Sequence, residues 1–277
     1  MRIFTHLAAV AALTLATSAA MAQLSVPTQP AAGPTPDADT GNSGIIVSAW
    51  DAVRGVSLVQ YLGLRLDQFL AGATPAEGLS LDFGQLSQWG SVFGASDTGN
   101  IQYTVSAFDF IQDSGFTYQG KRLLTTLVSN SAIRNNAMSS AITNGRSFIA
   151  GGLNSASGCN GTNPCVATAA TDGGYAGQGT FGAKYGNALP ISAASVVGTA
   201  MGFYLVSGSS SNTGTQNAVM TALQNAPGSI GQWLLSSAGQ LTYSLDAVSA
   251  VPLPAAVWLL LSGLAGVGVV GRRRVAA

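Results

Sequence analysis

Histidine is almost missing from this chain: among 277 residues the single copy is His6. Beyond the N-terminal end no Ser-His-Asp or Cys-His relay and no histidine-based zinc site can be assembled. Charge is scarce as well, at 8% Asp, Glu, Lys and Arg together. Glu77 is the sole glutamate and Lys121 and Lys184 are the only lysines, so the long charged side chains that favour helix surfaces are nearly gone. There is no Gly-x-Ser-x-Gly elbow for an exposed serine nucleophile. Gly177-x-Gly179-x-x-Gly182 and Gly266-x-Gly268-x-x-Gly271 match a dinucleotide fingerprint in letters alone. The first lies in a glycine-rich loop and the second in an apolar run, and neither has the strand-turn-helix setting. No cofactor and no metal ligand set follows from these residues. One enzymatic alternative stays open, a glycosidase pairing Glu77 with an aspartate or using two aspartates.

What is present is concentrated at the two ends. "MRIFTHLAAVAALTLATSAAMAQ" has a basic start at Arg2, an apolar run from Leu7 to Ala16, and Ala20-Met21-Ala22 before Gln23. This is the pattern of a secretory signal peptide over residues 1–22, with cleavage expected between Ala22 and Gln23. At the other end, residues 255–271 carry no charge and one polar side chain, Ser262. As a helix that run spans roughly 26 Å, near the short end of what crosses a bilayer core. Pro254 sits at its first turn, where a helix tolerates proline. Arg272, Arg273 and Arg274 follow, and such charges stay in the cytoplasm, so the bulk of the chain is expected outside. A buried core helix would not end in three arginines. The sequence predicts one C-terminal transmembrane helix at 255–271.

Pro252-Leu253-Pro254, an apolar helix containing Trp258 and the closing arginines, behind an N-terminal signal, resemble the PEP-CTERM sorting signal of Gram-negative bacteria. The resemblance covers residues 251–274, and Leu253 departs from the Glu in the family's name. The tail is sometimes labelled an ice-binding-protein C-terminal motif, which does not imply ice binding. Such binding calls for flat arrays of Thr-x-Thr that this chain lacks. The resemblance implies recognition of the 251–277 tail by an exosortase-like membrane protease. It also implies transient anchoring in the inner membrane and delivery to the cell surface or extracellular matrix, with exopolysaccharide as a candidate partner.

Between the ends, residues 23–43 hold four prolines and no apolar period, which reads as a flexible linker. The exported body carries seven basic residues against eleven acidic, a net charge of about −4. With no basic run it is not built for nucleic acid. Residues 44–250 are rich in Gly, Ser, Thr, Ala and Asn. "GIIVSAW", "VSLVQYL", "IQYTVSAFDF", "KRLLTTLV", "MGFYLVSG" and "GQLTYSLD" are short β-branched or aromatic runs between turn residues, and read as strands. "SAIRNNAMSSAITNGRSFIAG" places Ile133, Ala137, Ala141 and Ile142 on one face, with Ser131 as its cap, and predicts a helix. A second helix is expected near 216–224. The predicted class is mainly β, a sandwich-like domain with one or two helices.

"DTGNSGIIVSAWD" (39–51) and "DTGNIQYTVSAFD" (97–109) align without a gap, matching Val47 with Val105 and Trp50 with Phe108. The reading adopted is an internal duplication of a loop-plus-strand unit, against chance likeness of low-complexity strands. It predicts two strands with both valines buried. Paired Asp-Thr-Gly loops also occur in aspartic proteases, but there the aspartates follow apolar strand residues and Ser or Thr comes next. Here Asp39 follows a proline-rich stretch and both copies continue with Asn, which reads as a turn before a strand. Calcium ligation would want more acidic residues. Cys159 and Cys165 enclose five residues, and in an oxidising compartment a structural disulfide is expected. The body is therefore expected to be structural or adhesive. The rival class is a carbohydrate-binding module stacking sugars on Trp50, Tyr61, Trp89 or Trp233, and exposure of those rings decides between the two.

Overall fold

The computed structural model describes residues 34–40, 42–72, 78–111, 117–177, 189, 192–226 and 228–245. The expected signal peptide, most of the linker, Glu77, Lys184 and the sorting tail lie outside the described residues. Among those described, no helix is long and apolar enough to cross a membrane.

The chain opens with a 3-10 turn (Ala38–Thr40), β1 (Gly44–Asp51), β2 (Val56–Arg65), α1 (Leu66–Gly72), β3 (Leu79–Gln85) and α2 (Trp89–Phe93). A second 3-10 turn (Thr98–Asn100) leads into β4 (Ile101–Asp109), β5 (Arg122–Leu127) and α3 (Asn135–Phe148). There follow β6 (Cys165–Ala167), β7 (Ser195–Val196), β8 (Met201–Ser207), β9 (Val219–Ala222), β10 (Gln224–Ala226), β11 (Ser229–Ile230), β12 (Gln232–Leu235) and β13 (Gln240–Leu245). All six predicted strands are present, and the domain is mainly β.

The sandwich expectation needs correcting. Eleven strands form one antiparallel sheet, ordered β3-β13-β12-β8-β5-β4-β1-β2-β6, with β7 on β4 and β9 on β8. β10 and β11 form a small separate hairpin. The sheet curls on itself. β2 and β3 stand near opposite ends of the order, yet Ser87, just after β3, donates its amide to Oε1 of Gln60 in β2 at 3.2 Å. Curling encloses one face, so the central strands are buried on both sides. That is why β1 reads as a nearly continuous apolar run. Ile45, Val47 and Ala49 point into the enclosed core with Phe69, Phe203, Trp233 and Tyr243. Ile46 and Trp50 point into a second core beneath α3.

The turns have local causes. Asp51 Oδ1 accepts the amides of Val53 and Arg54, and Gly55 takes φ 70°, closing the β1–β2 hairpin. Both copies of the Asp-Thr-Gly-Asn repeat contribute to 3-10 turns ahead of their strands, and β1 and β4 are neighbours in the sheet. Val47 pairs directly with Val105, and both are fully buried in the same core.

α3 buries Met138, Ala141, Ile142, Gly145 and Phe148. Ile133 precedes the helix, Ala137 is half-buried, and the expected cap Ser131 is exposed and outside it. The first helical amides are satisfied by the neighbouring loop instead, Asn135 N donating to Gln216 O and Asn136 N to Gly214 O. The helix expected near 216–224 is in fact β9 and the start of β10. Met220 and Ala222 alternate with the exposed Val219 and Thr221 and pack on the second core, so period two wins there. α1 and α2 were not anticipated. The described part of the expected linker is packed on the domain: Ala38 and Ser43 are fully buried, Thr35 exchanges two hydrogen bonds with Asn154, and Asp39 pairs with Arg146 of α3.

Candidate binding site

The buried face of α3 fixes what its outer face can be. Asn136, Ser139, Ser140, Thr143 and Asn144 fall at helical spacing opposite the core and, with Thr117 and Tyr118, line an open cleft of about 330 Å³. Every lining side chain is neutral and carries a hydroxyl or an amide. The 117–121 wall is pinned from behind: Thr117 N donates to Asn212 Oδ1 at 2.8 Å, and Gly208 N donates to Lys121 O at 3.0 Å. Asn135, fully buried, ties the same loop to the start of α3 by donating to Ser209 Oγ and accepting from Ser209 N.

Behind the cleft lies Lys121, the only lysine among the described residues and only 6% exposed. Its Nζ donates to Ser139 Oγ at 3.3 Å and sits 4.9 Å from the Phe110 ring centre and 6.0 Å from that of Tyr118. No described carboxylate pairs with it. Burial therefore pulls its pKa below the usual lysine value. The Phe110 ring also carries the Arg146 guanidinium at 4.5 Å, whose partner is Asp39.

An amine hydrogen-bonded to a serine hydroxyl has the composition of a nucleophile and its base. Ser139, however, stands inside α3, where backbone amides are committed to helical hydrogen bonds. The backbone around it therefore offers no pair of free N–H groups to receive an oxyanion. The arrangement suits holding a polar ligand rather than acyl transfer.

Arg122 bridges Asp67 at 2.8 Å and Asp109 at 2.7 Å, joining α1 to β4 and β5. Burial raises the Asp109 pKa and outweighs the opposing pull of Arg122. Burial also pushes Asp51 upward, but hydrogen bonds from Ser96, Arg54 and Val53 together overcome it and leave its pKa lowered.

The structure brings Cys159 and Cys165 together as a disulfide, with Cα atoms 5.5 Å apart. Trp50, Tyr61, Trp89 and Trp233 are all buried, so they form no platform for sugars. The two Asp-Thr-Gly loops precede antiparallel neighbours and stand at opposite ends of the ladder, too far apart to share a proton. Among the described residues no group of three or more His, Cys, Asp or Glu gathers to hold a metal. The sorting residues Pro252, Leu253, Pro254, Arg272, Arg273 and Arg274, and the cleavage pair Ala22 and Gln23, lie outside the described residues. Sequence reasoning missed the cleft. Its one usable signal was a lone lysine at the head of a strand in a lysine-poor chain. Comparisons with models of protein families, with curated proteins and with solved structures found no match.

Proposed function

We propose that this is an exported cell-surface or extracellular-matrix protein of a Gram-negative bacterium. Its tail is read by an exosortase-like membrane protease, and its β domain serves as structural or adhesive material rather than as an enzyme. The observation that carries the reading is the three-part tail, Pro252-Leu253-Pro254, the apolar run 255–271 and Arg272–Arg274, combined with a signal pattern at 1–22. Each part has a physical task. The apolar helix stops export by preferring hydrocarbon to water, and the arginines hold its end in the cytoplasm because moving three charges across a bilayer is costly. The prolines keep the chain extended at the outer interface, where a protease can seize it. The Cys159–Cys165 disulfide is consistent with an oxidising destination.

The test follows cell-associated and released protein by immunoblot in a host with its matching exosortase. Pro252→Ala with Pro254→Ala is expected to leave an uncut, membrane-held precursor. Replacing Arg272, Arg273 and Arg274 by Ser weakens retention and orientation, and deleting residues 255–277 releases the body. Processing and surface delivery of the proline variant like the wild type would refute the address. A second reading, sugar binding, loses its aromatic platform but is favoured by the hydroxyl- and amide-lined cleft on α3.

A further inference from the structure

We infer that the cleft between residues 117–118 and α3 binds a carboxylated glycan, a chain of uronic-acid type, with Ser139 donating to the carboxylate and Lys121 supplying the charge from behind Ser139. This names the partner class for the sugar-binding reading and rests on that reading.

Three features of the site select the ligand. First, the lining consists of Thr117, Asn136, Ser139, Ser140, Thr143 and Asn144 around the Tyr118 ring. Hydroxyls and amides donate and accept alike, which matches the ring hydroxyls of a sugar, and the one aromatic supplies apolar surface beside them. Second, Lys121 is a buried cation whose ammonium makes one hydrogen bond among the described residues, to Ser139 Oγ. Because that oxygen accepts from the amine, the Ser139 hydroxyl hydrogen is left to donate, and Ser139 lines the cleft. An amine-backed hydroxyl facing a polar cleft is a charge-assisted donor suited to an anion. A carboxylate there would supply the negative charge that the amine lacks among the described residues, repaying part of the desolvation of Lys121. Third, the other ligand classes fit poorly. A phosphate polymer needs several clustered cations, and the body is net acidic. A protein partner needs an apolar patch, yet the exposed large hydrophobics Val53, Ile111, Val128 and Val219 do not line the cleft.

The full-length protein, purified in detergent, is titrated with tetragalacturonic acid, with its methyl ester and with maltotetraose, by calorimetry at pH 7. The acid is expected to bind at least tenfold more tightly than the ester or the neutral sugar, and to weaken as salt rises. Lys121→Met keeps the apolar stem, and its melting temperature reports that the fold survives. It is expected to reduce the affinity for the acid to that for the ester. Ser139→Ala is expected to do the same while leaving Lys121 in place. In protein labelled with 13C at lysine Cε, one of the two lysine signals should report a lowered pKa that rises when tetragalacturonic acid is added. Equal affinity for acid and ester, no binding of the acid, or Lys121→Met binding like the wild type would each overturn the inference. None of these readouts uses export or tail cleavage, so failure of the sorting address leaves the binding result standing, and the reverse holds too.

Discussion

Gly145→Ala puts two opposed effects on one atom. Gly145 lies inside α3, and alanine there gains about 1 kcal/mol of helix propensity. A Cβ at that position would, however, land on the Phe108 ring, overlapping its Cδ1, Cε1 and Cζ atoms. Phe108 is fully buried in the second core and cannot swing into solvent. The helix must therefore lift from β4, loosening Met138, Ala141, Ile142 and Phe148 together. Overpacking of this kind costs about 1–3 kcal/mol, and a rigid ring backed by a strand belongs at the upper end. The net is a loss of about 1–2 kcal/mol, or roughly 2–8 °C in melting temperature for a domain of this size. Gly90→Ala is the matched control, because α2 leaves nothing within 4 Å of a Cβ there. It is expected to stabilise by about 0.5–1 kcal/mol. Thermal and urea melts of the full chain measure both, and Phe108→Leu combined with Gly145→Ala should cost less than the two singles added, because the clash is shared. If Gly145→Ala melts at or above the wild type, the packing of α3 on β4 is not as described.

Reducing the Cys159–Cys165 bridge removes a short loop constraint worth about 2 kcal/mol, so the melting temperature should fall by roughly 4–8 °C. Mass spectrometry of non-reduced exported protein should find the pair oxidised, and two free thiols there would contradict the assignment. Asp109, with its pKa raised by burial, holds its proton in the folded state above pH 3.8, where the unfolded chain has begun to lose its own. The contribution of Asp109 to stability therefore falls as pH rises from 3.8 through the folded value. Wild-type stability minus that of Asp109→Asn should fall over that rise, and a flat difference would be evidence against the burial effect. Asp51, with a lowered pKa, has the opposite sign: its contribution is present above pH 3.8 and lost as pH drops through the folded value.

What could be read from the sequence was what depends on near neighbours. Six strands were visible because β-branched and aromatic runs sit between turn residues, and the two-sided burial of β1 shows as an unbroken apolar stretch. β6, β7, β10 and β11 have two or three residues each and owe their state to a partner strand, which no local run announces. α1 and α2 are seven and five residues long, too short for an amphipathic period to be seen. The N-terminus of α3 took its hydrogen bonds from a loop some 80 residues away, so no capping side chain marked it. The cleft was invisible for the same reason. Its two walls come from residues 117–118 and 136–144, and its cation is placed by a strand that pairs across the sheet.

The repeat shows how local likeness and tertiary placement meet. Its alignment equates Val47 with Val105, and the sheet pairs those two residues with each other. The alignment also equates Ile46 with Thr104 and Ser48 with Ser106, and the register pairs Ile46 with Ser106 and Ser48 with Thr104. Each pair therefore maps onto another pair, and a local two-fold axis passes through the valines. Trp50 and Phe108 are carried by it into the same second core. A chance likeness between two β-rich stretches has no reason to choose adjacent strands in the one register that makes the alignment a symmetry operation. A duplicated strand able to pair with its own copy would, because a self-complementary edge is satisfied by the second copy as soon as it exists. At the ends the equivalent carboxylates share one contact and differ in another: Asp51 Oδ1 accepts Val53 N and Asp109 Oδ1 accepts Ile111 N. Asp51 accepts a second amide, from Arg54, and closes a tight hairpin, whereas Asp109 in addition pairs with Arg122, which bridges to Asp67 of α1. The centre of the pair is symmetric where packing constrains it from both faces. The ends differ in their remaining partners, and the wall of the cleft follows shortly after the second of them.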